Sequence, residues 1–180
     1  MFRAMIVSVL FFSCFLQSFA AEYEGYKSLK GIDSVGIEVN GLKVSDAQYG
    51  MFEREFADYV AVFLHRYEIT PVSAEKIDKV PGRPIFRLYF NTQIDPKMNV
   101  AAVLCEICLV QDVSVVRDEK IEVIQATTWD NSSIALMQPQ YIKELSQFKL
   151  DEFLQQFVED LYKANSKPSP FKNNSKEKII

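Results

Sequence analysis

The longest patterned stretch of the chain runs from Asn99 to Asp130. Val, Ile, Thr and Trp are prominent in it, neither Gly nor Pro interrupts it, and Asp118-Glu119-Lys120 forms a charged cluster where an extended chain must reverse. Side chains on a strand alternate between two faces, so the stretch reads as two long strands joined by a tight turn near Asp118-Glu119. On the first strand Val103, Cys105, Ile107, Leu109, Val113 and Val115 share one apolar face. Glu106, Cys108, Asp112 and Ser114 share the other, together with Leu104, Val110 and Val116. The register stays open at this level. A two-residue turn opposes Val113 to Ile124, and a three-residue turn with a bulge opposes it to Val123. A slip of one residue carries Trp129 between core and surface.

Elsewhere the period changes to that of a helix. Ser45-Asp46 with Gln48 three residues on reads as a helix start. Tyr49, Phe52, Phe56, Tyr59, Val60 and Phe63 then recur at spacings of three and four, an aromatic stripe. Pro139 opens a second helix whose apolar face runs from Ile142 through Leu150, Phe153, Phe157 and Leu161 to about Ala164. Shorter strands are expected over 32–39, 68–72 and 85–93, a helical turn over 73–79, and a loop over 131–138. The predicted order is β-α-β-β-β-β-α. It implies an α+β fold, a two-layer sandwich with a largely antiparallel sheet of about five strands and two amphipathic helices on one face.

The ends differ from the middle. Met1-Phe2-Arg3, an apolar run over 4–16 and Ser18-Phe19-Ala20 match a cleaved signal peptide over residues 1–20. Residues 21–164 form a single α+β domain, and 165–180, polar with two prolines, reads as a disordered tail. Without Arg3 the chain carries 19 basic and 24 acidic residues, a net charge of −5. That balance argues against nucleic acid. The leader implies a periplasmic or secreted protein that meets the membrane only through its signal sequence.

Reactive chemistry is sparse. There is no Gly-rich phosphate loop, and His65 is the only histidine, which excludes a multi-histidine metal site. Cys105 and Cys108 form C-E-I-C, yet residues three apart on a strand point to opposite faces, about 10 Å apart, beyond disulfide reach. Asp112, within the apolar hairpin, reads either as a buried acid with a raised pKa or as a solvent-facing carboxylate. No catalytic, cofactor-binding or metal-binding residues are assigned, and the chain is read as not an enzyme. The second sheet face is less polar than a solvated face should be. Ile85, Tyr89, Leu104, Val110 and Val116 project there and form the candidate partner face.

The opening Tyr26 to Val39, the A-T-T-W of Ala126 to Trp129 and the helix from Leu150 to Leu161 together resemble a loose group of small bacterial exported proteins. The order of elements is similar to periplasmic accessory domains of envelope assembly, such as the N-terminal domain of the Tol-system propeller protein and the lipoprotein partner of the lipopolysaccharide transporter. The resemblance implies a non-catalytic domain that binds a protein partner or envelope component through its open sheet face. The alternatives are a small-molecule or lipid carrier, with its ligand between the aromatic stripe and the sheet, and a CxxC redox protein.

Overall fold

The computed structural model describes residues 24–171. The expected signal peptide, residues 1–20, lies outside the described residues. The elements are β1 (Ser34–Asn40), α1 (Glu53–Arg66), β2 (Thr70–Pro71), α2 (Ala74–Ile77), β3 (Ile85–Asp95), β4 (Val100–Val115), β5 (Asp118–Met137) and α3 (Ile142–Ala164). The strands make one five-stranded sheet in the order β2-β1-β3-β4-β5. β1 runs parallel to both neighbours, and β3, β4 and β5 form an antiparallel meander. The fold is therefore α+β with a mostly antiparallel open sheet, and α1 and α3 pack on its inner face.

The core follows from two periods meeting. Alternate residues of the strands, among them Phe86, Leu88, Phe90, Val103, Ile107 and Leu109, face Phe56, Val60 and Leu64 of α1 and Leu150, Phe153 and Phe157 of α3. Each such side chain contributes roughly 1.5–3 kcal/mol when fully buried. Trp129 belongs to this face. It is buried, its ring centroid lies 5.1 Å from that of Phe157, and Phe157 lies 4.8 Å from Phe86. Its indole N–H donates to Asp160 Oδ2 at 2.9 Å, so the one polar atom of the ring is satisfied.

Three expectations are corrected, and the open register is settled. The reversal falls at Val116-Arg117, because Val115 already pairs with Asp118. Val113 opposes Val123, with irregularities at Leu109/Val110, Gln111/Val113 and Ser114/Val115. The first two each shift the register by one residue, so together they restore the original facing and keep Trp129 inside. Residues 131–137, expected as loop, continue β5 and pair residue for residue with Ala101 to Ile107. Their polar start masked a period of two that Ile134 and Leu136 carry. The first long helix does not begin at Ser45. A 3-10 segment, Val44–Tyr49, ends at Gly50 (φ 74°), and α1 starts three residues later. Gly50 adopts the left-handed conformation that stops a helix. Asp46, not Ser45, caps this segment, accepting the Lys43 backbone N–H at 2.8 Å.

The tail expected to be disordered from Asn165 is placed as far as Phe171. Asn165 Oδ1 accepts the Gly31 N–H at 3.0 Å, and Phe171 meets Tyr67 at 5.3 Å between ring centroids. Residues 172–180 lie outside the described residues.

Candidate functional site

The outer face of the sheet, away from α1 and α3, divides into three zones. The first is a second, smaller core. Ile85 and Val110 oppose each other across β3 and β4, and with Cys108 they pack under Ile77 of α2, flanked by Val72 and Val80. Pro71 and Pro81-Gly82 bound this segment and turn it back across the sheet. Ile77 also lies against Gly36 of β1, where no side chain intervenes. Ile85 and Val110 are thus buried and unavailable to a partner, contrary to the expectation for them.

The second zone is ionic. Arg87 on β3 pairs with Glu38 on β1 at 2.9 Å. Asp112 accepts from Arg83 Nε at 2.5 Å and from the Gln125 backbone N–H at 3.0 Å, at the bulge where Gln125 takes φ 54°. The Asp112 carboxylate replaces the missing ladder partner. The Arg83 and Gln125 hydrogen bonds hold its pKa below the ordinary value, so the raised-pKa reading of Asp112 is overturned.

The third zone is open and apolar. Leu104 sits opposite Ile134, and Ala102 opposite Leu136. Tyr89, paired with Glu106, lies diagonal to Leu104. Its ring rests on Gly41, whose φ of 85° and missing Cβ allow the contact. Ile134 and Leu136 are 74% and 75% exposed and Tyr89 39%, whereas Val110 is 2% exposed. Of the predicted face, Tyr89 and Leu104 therefore belong to the open strip. Val116 is exposed but stands at the hairpin tip, off the sheet face. Ile134 and Leu136 were missed, although the alternation in Ser132-Ser133-Ile134-Ala135-Leu136-Met137 carries the signal.

The cysteines diverge as expected. Cys105 is buried in the main core and Cys108 in the second one, both as free thiols. Burial pushes the Cys105 thiol up to about 12, and it raises Cys108 too, with help from Glu106. A thiol held in that form is a poor nucleophile. Of the aromatic stripe, Phe56, Val60 and Phe63 are packed in the core, with Phe56 against Phe90 at 4.6 Å, whereas Phe52 and Tyr59 are exposed. A crevice of about 10 Å³ between α3 and β5, lined by Val103, Cys105 and Ser146, has room for about one water. A larger cleft of about 320 Å³ lies between Gly31-Ile32-Asp33, Tyr67-Glu68 and Asn165. Among the described residues, no three His, Cys, Asp or Glu side chains converge on a metal position. Among the same residues, no helix is long and apolar enough to cross a membrane.

Fold and surface define a two-layer α+β domain whose sheet is covered on one side and partly covered on the other. No family model and no curated protein matches the chain. Among solved structures it is similar to a minor lipoprotein from Acinetobacter baumannii, at 9% identity over 75% of this chain and 87% of that one, with a TM-score of 0.25. A likeness at that score carries no argument about fold or function.

Proposed function

We propose that this chain is an exported, non-catalytic domain that binds an envelope protein partner through the uncovered strip Tyr89, Leu104, Ile134 and Leu136. One observation carries the reading. α2 covers one end of the outer face, and beyond the ionic zone Leu104, Ile134 and Leu136 form an uncovered apolar strip beside Tyr89 and Glu106. Contiguous exposed apolar surface of this kind marks interaction sites more often than it is left idle. The leader pattern of residues 1–20 supports export, and the acidic balance supports a protein over a nucleic acid.

The test is Tyr89→Lys, alone and with Leu104→Lys, in a pull-down from the host's own envelope extract. The reading requires that the partner is lost while the thermal midpoint of Tyr89→Lys stays within a degree or two. If Tyr89→Lys unfolds the domain, or if binding survives both charges, the strip is not the site.

A further inference from the structure

The free edge of β5 adjoins this strip and has its own logic. β5 is the last strand of the sheet. Near its middle the lead-in segment Glu24–Leu29 covers it, with Ser28 Oγ donating to the Thr128 carbonyl at 2.8 Å. Beyond Asp130, no described strand pairs with its outer side as far as Met137. Sheet edges normally carry Lys, Pro or a bulge that blocks pairing with another chain. From Asp130 to Gln138 there is a single charge, Asp130, and neither Pro nor Gly. Both layers are apolar at this rim. Ile134 and Leu136 stand on the outer face, and Leu145 of α3, which lines the crevice against Ser133, Ala135 and Met137 of β5, stands on the helix layer.

We propose that this edge pairs with β5 of a second copy of the chain, antiparallel about a two-fold axis at Ile134, making one sheet across two molecules. The edge is complementary to itself. A two-fold axis normal to the sheet keeps outer side chains on the outer side. Ile134 then meets its own counterpart, Ser132 meets Leu136, and Asn131 meets Met137. Asp130 falls opposite Gln138, so no like charges face each other. Pro139 stops the pairing at one end, and the lead-in segment stops it at the other. Nine residues at about 3.4 Å each make a seam about 30 Å long. With a sheet layer and a helix layer each about 10 Å deep, the interface is about 600 Å² per copy, below the ~800 Å² of a standard complex. The dimer is accordingly a weak one.

Sedimentation velocity of the naturally processed protein from about 1 μM to about 1 mM tests this. The mass should rise from one chain toward two across that range. Ile134→Lys, which sets two ammonium groups opposite each other, should weaken dimerisation at least about tenfold with an unchanged melting curve. Tyr89→Lys, two strands away, should leave the dimer intact, which separates this proposal from the partner site. A single-chain mass throughout overturns it, as does a dimer indifferent to Ile134→Lys. A monomer whose outward amides over 131–137, those not bonded to β4, resist hydrogen exchange at every concentration also overturns it, with another segment of the same chain as the occupant.

Discussion

Val110→Ala and Ile134→Ala form a pair that tests the division of the outer face. Both side chains lie on the outer side of neighbouring strands, yet Val110 is 2% exposed beneath α2 and Ile134 is 74% exposed. Val110→Ala removes two methyl groups from a packed cluster with Ile77, Ile85 and Cys108. At about 0.8 kcal/mol per carbon the transfer loss is about 1.6 kcal/mol. An unfilled cavity adds to it, for a total near 2 kcal/mol. For a domain of this size each kcal/mol moves the midpoint by roughly 2–4 °C, so a drop of about 4–8 °C is expected. Ile134→Ala removes mostly hydrated surface and should stay within about 0.5 kcal/mol. Thermal and urea denaturation followed by circular dichroism read both. Equal losses for the two variants, or a Val110→Ala protein as stable as the parent, would refute the claim that α2 seals one end of the face.

Asp112 sets a dependence on acid. Its folded pKa is lowered, first by Arg83 and then by the Gln125 N–H, so its contribution is present above the ordinary value near 3.9 and is lost as pH falls through the lower folded value. Urea midpoints measured from pH 6 downward should therefore fall more steeply below about pH 4 in the parent than in Asp112→Asn. The thiols of Cys105 and Cys108 should react with maleimide far more slowly in the native protein than in urea, and oxidation should not join them to each other. Phe157→Ala opens a gap against Phe86 and Trp129 and should cost about 3–5 kcal/mol, with a red shift of the Trp129 emission in the folded variant.

Sequence patterning was most informative where one period ran long. The alternation from Val103 to Leu109 and the helical face from Ile142 to Leu161 place the main core directly, because both elements bury a single face. The fold class follows from their order. Three features depended on tertiary context instead. The register of the hairpin turns on bulges, one of which an Asp112 side chain stabilises from across the pair, and nothing local to Gln125 announces a positive φ. The cover over Ile85 and Val110 comes from α2, only four residues long. Its single inward apolar residue, Ile77, carries too little periodicity to show which face it meets. The extension of β5 was hidden by Asn131-Ser132-Ser133, residues common in turns, which here are held extended by pairing with Ile107, Glu106 and Cys105. Of the candidate face, Tyr89 and Leu104 lie on the uncovered strip, whereas Ile85 and Val110 are buried beneath α2 and Val116 stands at the hairpin tip.

The most direct test of the proposed function is a photo-crosslink placed at Tyr89 in the living host. A benzophenone side chain at this position, compared with one at the exposed Phe52 beside α1, reports what touches each surface. The account predicts one discrete protein adduct from position 89, absent from position 52 and abolished by Leu104→Lys. No adduct from position 89, or the same adducts from both positions, would contradict it.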